Sequence, residues 1–144
     1  MDKFDCLKLE NQLCFPLYAC AKEVTKKYKP FLDKLNLTYT QYIAMLILWE
    51  HDEINIKALG EKLFLDSGTL SPMLKNLEAK GYIERVRNAE DERNLIIKLT
   101  KNGHNLKENA IFVPNSMAKC VNLNEKDAKT LYNLLYKVLN GLKE

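Results

Sequence analysis

The hydrophobic positions of the chain change their period several times, and each change marks an element. From residue 7 to about 34, Leu9, Leu13, Leu17, Ala21 and Val24 recur at helical spacing, with Phe15 beside them and Lys and Glu on the other face. One long helix is predicted over 7–34. Pro16 works against it, because proline lacks the amide hydrogen and either kinks a helix or lies close to its true start. Pro30 is a second interruption, near the helix end. Thr38-Tyr39-Thr40-Gln41 fits a capping box, and the apolar run through Trp49 predicts a buried helix closed by His51-Asp52-Glu53. Ile54-Asn55-Ile56 reads as a short strand. Residues 57–64 read as a short helix with Leu59 and Leu63 inward.

Asp66-Ser67-Gly68-Thr69 is a turn and N-cap cluster. The helix it opens runs to about Lys80, with Leu70, Leu74 and Leu77 on one face. Pro72 suits the first turn; if the helix begins at Asp66 it costs one hydrogen bond, and the register stays open. Gly81 reads as a C-cap. Tyr82 to Arg87 and Arg93 to Leu99 read as two strands joined by the polar turn 88–92, a β-hairpin. Thr100 caps a helix running to about Val113. Pro114 breaks it or starts a short successor holding Met117 and Cys120. Asn124 caps a final helix whose apolar face carries Leu131, Leu134, Leu135, Val138 and Leu142. No repeat or low-complexity linker appears.

The chain has 144 residues, 47% apolar and 28% charged, which suits one domain or one protomer of an intimate oligomer. Its net charge of +3 bears mainly on solubility and does not by itself argue for nucleic acid. Residues 1–10 are charged and carry no apolar signal core. The longest apolar run, 42–49, is too short to span a bilayer. A cytoplasmic protein without membrane contact is therefore expected. Cys6, Cys14, Cys20 and Cys120 show no CxxC spacing and no paired His, so neither a metal nor another cofactor is expected. Standing disulfides are not expected in a reducing compartment.

The order of elements changes the picture more than the charge does. A short helix, a tight turn, a polar-faced helix and a hairpin follow one another as in a winged helix-turn-helix. The second helix of such a unit enters the major groove. It needs short polar side chains near its start and a cation further on, which Ser67, Thr69, Ser71 and Lys75 supply. A wing needs cations for phosphates or the minor groove, which Arg85, Arg87 and Arg93 supply. Each residue alone is more often a cap or a solvated face; together, in this order, they favour double-stranded DNA.

The segment Leu65-Asp66-Ser67-Gly68-Thr69-Leu70-Ser71-Pro72-Met73-Leu74-Lys75-Asn76-Leu77-Glu78, followed by Asp91-Glu92-Arg93, resembles the MarR family of bacterial transcription regulators. The D-x-R of the wing is that family's signature. Leu9-Glu10-Asn11-Gln12-Leu13-Cys14-Phe15 and Leu37-Thr38-Tyr39-Thr40-Gln41-Tyr42 narrow the likeness to its organic-hydroperoxide-regulator branch. The resemblance implies a mainly α fold with a small β-wing, and a homodimer built from the N- and C-terminal helices. Residues 7–34 and 101–144 would form the dimer core and 54–99 the DNA-binding lobe, all in one domain over 1–144. Two recognition helices would then meet a pseudo-palindromic operator. Arg93 would read the minor groove at the wing tip, with Asp91 positioning it.

Read from residues alone, Cys14 is either a small core residue or a chemical sensor, with little to choose between them. The resemblance favours the sensor. Its thiolate would attack an organic hydroperoxide and become a sulfenic acid. Tyr18 shares the Cys14 face, one turn on. In the family, two tyrosines of the partner subunit hydrogen-bond the reactive thiolate, and Tyr28 and Tyr39 match those positions. Tyr42 reads as an interface aromatic and Cys20 as packing. Cys120 is a candidate resolving thiol, and a low-molecular-weight thiol is the other route. The expected function is a non-enzymatic repressor that leaves its operator on oxidation. A regulator answering to small aromatic ligands and a global redox or virulence regulator of the same branch are the alternatives. A thiol peroxidase and a purely structural helical dimer fit the residues less well.

Overall fold

The computed structural model describes residues 2–88 and 91–143, without the side chains at 88 and 91–93. Two 3-10 turns, Asp5–Leu7 and Leu9–Asn11, precede α1, Cys14–Asp33. The single helix expected over 7–34 is therefore shorter. Pro16 is the third residue of α1. Extending the helix backward would drive its ring against the carbonyl of Gln12. Residues before α1 instead satisfy their carbonyls through 3-10 backbone bonds and through side chains. Asn11 Nδ2 donates to Asp5 O at 2.7 Å, and Gln12 Nε2 donates to Cys6 O at 2.8 Å and Lys8 O at 2.9 Å. Pro30, expected to interrupt, stays inside the helix. It removes only the donor to the Lys26 carbonyl, and that stretch is exposed to water.

The α2 helix, Tyr39–His51, begins at the expected capping box: Gln41 N donates to Thr38 Oγ1 and Thr38 N to Gln41 Oε1. It is the centre of the molecule. Ala44, Met45 and Leu48 are fully buried, and Trp49 Nε1 donates to Gly103 O at 2.8 Å. Strand β1, Glu53–Asn55, lies one residue earlier than expected, because the Asn55 side chain caps α3, Ile56–Leu63, by accepting from Lys57 N. The next helix is α4, Ser67–Ala79, capped by Asp66 Oδ1 accepting from Thr69 N at 2.8 Å. Pro72 is its sixth residue, so the register left open resolves to the case in which one helical hydrogen bond is lost.

Strands β2, Ile83–Asn88, and β3, Asp91–Leu99, form the hairpin. With β1 they make a three-stranded antiparallel sheet in the order β1-β3-β2, with Ile54 opposite Ile97 and Val86 opposite Ile96. Helix α5, Lys101–Ala110, stops short of the expected Val113, and α6, Phe112–Cys120, takes over with Pro114 as its third residue. Proline at 114 cannot donate to the Ala110 carbonyl, so the break falls ahead of it. Helix α7, Glu125–Leu142, is capped by Asn124 and buries none of its residues. The core gathers Leu32, Leu35 and Leu37 beneath α2, with Leu59, Leu74, Leu77, Ile83, Ile97 and Val113. Leu131, Leu134, Leu135 and Val138 of α7 stay exposed, as do Leu13 and Leu17 near the start of α1. Among the described residues no helix is long and apolar enough to cross a membrane.

Candidate nucleic-acid interface and thiol site

The α3 helix ends at Phe64, whose φ of 57° turns the chain through the left-handed region. Leu65 N donates back to Gly60 O at 3.0 Å, closing the turn. A Cβ at Gly60 would sit 3.0 Å from Leu65 O and 3.2 Å from Leu70 Cδ2, so the residue allows α3 and α4 to approach. Helix α4 turns Leu70, Met73, Leu74 and Leu77 into the core. That leaves Ser67, Thr69 and Lys75 exposed and Ser71 half-buried. The four expected DNA-facing residues therefore lie on or beside one accessible surface.

The wing divides differently. Arg87 is exposed. Arg85 is tied to α4: its Nε and Nη2 donate to Glu78 Oε1 at 3.2 and 3.1 Å, and its backbone N donates to Glu78 Oε2 at 3.1 Å. Hydrogen bonding from the Arg85 side chain and then its backbone holds the Glu78 carboxyl below the usual carboxylate range. Arg85 thus ties β2 to α4. The expectations for Asp91 and Arg93 fall on side chains outside the described residues.

Cys14 is the first residue of α1 and its side chain is exposed. Cys120 ends α6, also exposed. Cys20 is exposed too, so the packing expected of it is not found within the protomer. Tyr28 and Tyr39 do come together, with ring centroids 4.8 Å apart. Tyr42, expected at an interface, is instead only 4% exposed in the protomer and joins them, at 5.8 Å from Tyr28 and 6.4 Å from Tyr39. Helix α2 is buried on most of its sides, and Tyr42 stands three residues from Tyr39, about one helical turn. Burial pushes all three hydroxyls above 10.0, with the neighbouring tyrosines adding to the shift at Tyr28 and Tyr42. They remain proton donors well beyond neutral pH. Among the described residues none of the three hydroxyls has a hydrogen-bond partner. Tyr28 lies fourteen residues along α1 from Cys14, roughly 21 Å by helical rise, so one chain does not join thiol and cluster. Tyr18 is exposed. Among the described residues no group of His, Cys, Asp and Glu is placed to hold a metal ion.

Residues 26–110 match the family model of the transcriptional regulators SarA/Rot. Over 141 residues the chain is 52% identical to the organic hydroperoxide resistance transcriptional regulator of Bacillus subtilis strain 168, covering 98% of this chain and 96% of that protein. The structure of reduced AbfR bound to DNA is similar, with a TM-score of 0.79 and 36% identity, covering 99% of this chain and 100% of that one. Disulfide-formed AbfR is similar with a TM-score of 0.68 and 34% identity, covering 99% and 97%. The likeness runs through the helix pair, the wing and the terminal helices alike, and the chain belongs to the MarR and SarA/Rot family of winged-helix transcriptional regulators, in its organic-hydroperoxide-regulator branch.

Proposed function

We propose that this protein is a homodimeric, cytoplasmic repressor that senses organic hydroperoxides through Cys14 and leaves its operator on oxidation. The observation that carries the reading is the convergence of Tyr28, Tyr39 and Tyr42, whose protonated hydroxyls have no partner within the described protomer. In the dimer, Tyr28 and Tyr39 of one chain would donate to Sγ of Cys14 in the other. Hydrogen bonds to a sulfur anion favour the ionised nucleophile. The apolar faces of α1 and α7 support such a dimer, because each would otherwise leave large side chains in water.

The thiolate attacks one peroxide oxygen: the S–O bond forms, the O–O bond breaks, and the alkoxide leaves and takes up a proton as the alcohol. The sulfenic acid then accepts attack by a second thiol, forming S–S and releasing water. Cys120 of the other chain is the candidate, and the existence of AbfR in a disulfide form supports it; a low-molecular-weight thiol is the alternative. The thiol is used once per signal, not in turnover. On the DNA side, α4 would enter the major groove with Ser67, Thr69, Ser71 and Lys75. Arg87 and Arg93 would reach the backbone or minor groove, with Asp91 positioning Arg93. Arg85 would act by holding the wing against α4.

Operator binding by fluorescence anisotropy, with and without cumene hydroperoxide, tests the reading. The wild type should release DNA and Cys14→Ser should hold it. Undiminished wild-type binding, or full release in Cys14→Ser, would overturn it. Intact mass under non-reducing conditions should show a covalent dimer that Cys120→Ser abolishes; a monomer carrying a small-thiol adduct would assign the one-cysteine route instead.

A further inference from the structure

Gln41 is the one buried polar side chain among the described residues, 3% exposed. Capping α2 requires only its Oε1, which accepts from Thr38 N at 3.0 Å. That task could be done at the surface. Here the rest of the amide is used as well. Nε2 donates to Asn76 Oδ1 at 2.8 Å, and Oε1 also accepts from Lys80 Nζ at 2.9 Å. Asn76 and Lys80 sit one turn apart at the C-terminal end of α4. Lys80 Nζ donates further to Asn36 O at 2.6 Å, and Tyr82 OH donates to Leu35 O at 3.4 Å. The corner between α1 and α2 is thereby bonded to the end of the recognition helix. Tyr39 lies in the same first turn of α2 as Gln41.

We propose that Gln41 is the positioning residue that couples the tyrosine cluster to the recognition helix, through Asn76 and Lys80. The inference rests on Tyr39 being a partner of the Cys14 sulfur, as argued above. Apolar packing between α2 and α4 is non-directional and slides when one helix shifts. Hydrogen bonds lose strength as their angle changes, so a first turn of α2 displaced by Tyr39 either drags Asn76 and Lys80 or breaks from them. Dragging moves α4, and breaking removes the bonds that hold its C-terminal end to α2. The coupling is reciprocal, so operator DNA also biases the tyrosine cluster.

The test compares wild type, Gln41→Met, Asn76→Ala and Gln41→Glu. Met matches the volume and makes none of the bonds. Glu keeps the acceptor for Thr38 and Lys80 and accepts from a flipped Asn76 amide. Intact mass follows Cys14 oxidation, and anisotropy gives the ratio of operator Kd in the oxidised and reduced states. The wild-type ratio should be about tenfold or more, the size of an ordinary allosteric coupling. Gln41→Met and Asn76→Ala should oxidise at the wild-type rate with a ratio within about threefold of one, and Gln41→Glu should restore most of it. Asn76 is exposed, so its variant remains folded and decides the matter if Gln41→Met does not fold. Variants that keep the full wild-type ratio, or a Gln41→Glu no better than Gln41→Met, overturn the coupling alone. A wild type that oxidises at Cys14 yet keeps its DNA overturns the proposed function, and the coupling with it.

Discussion

Cys14 and the three tyrosines occupy opposite situations within one protomer. The thiol stands exposed at the start of α1, while the tyrosines cluster where α1 meets α2. A hydrogen bond to a charged group is worth about 1.5–3 kcal/mol, so removing one donor should reduce the reactive anion by about tenfold or more. Tyr28→Phe and Tyr39→Phe should each slow Cys14 oxidation by about that factor, read by stopped-flow with cumene hydroperoxide, with the folded structure kept because each ring remains. Unchanged rates in both would remove the tyrosines from the site. The spacing of Tyr42 from Tyr39 is legible in the sequence, but its burial is not, because the helices that cover it come from distant parts of the chain.

Between elements, the contacts that seat the hairpin are a carboxylate and a glycine. Glu78 holds Arg85, and so α4 holds β2. Because the folded carboxyl titrates below its ordinary 4.5, the stabilisation is fully present above that value. It is lost as pH falls through the lower folded value. Glu78→Gln should therefore flatten the fall in melting temperature below about pH 4.5 that the wild type shows; parallel slopes would sink the assignment. Gly103 of α5 packs directly against the Tyr82 carbonyl, and its own carbonyl accepts from Trp49. A Cβ there meets backbone, which cannot rotate away. Gly103→Ala should cost at least about 3 kcal/mol, the upper end of ordinary overpacking, in urea unfolding. A loss under about 1 kcal/mol would show that α5 can shift.

At the scale of the whole molecule, α7 is the element whose place in one protomer is least accounted for. It is eighteen residues long and buries none of them. In proteins most helical stability comes from packing an apolar face rather than from propensity, and within one protomer the apolar face of α7 meets water. A second copy of the chain supplies that packing in the proposed dimer. Leu135→Glu should shift sedimentation toward the monomer and abolish two-half-site operator binding. A dimer of unchanged stability would move the interface elsewhere.

The elements and their starts were legible in the sequence because they depend on neighbours. Thr38 with Gln41, Thr100 with Gly103 and Asn124 with Asp127 are bonds across three residues. The order of helix pair and hairpin, with Ser67, Thr69 and Lys75 on the outer side of α4, follows from periodicity alone. Pro16 was also visible, but whether it kinked a long helix or marked a start depended on Asn11 and Gln12 finding carbonyls elsewhere. Tertiary structure alone decided that Arg85 serves Glu78, and that Gln41 reaches Asn76 and Lys80 across separations of 35 and 39 residues. Periodicity records which face of an element is apolar. It does not record which distant polar group that face will meet, because the meeting is set by how the elements pack together.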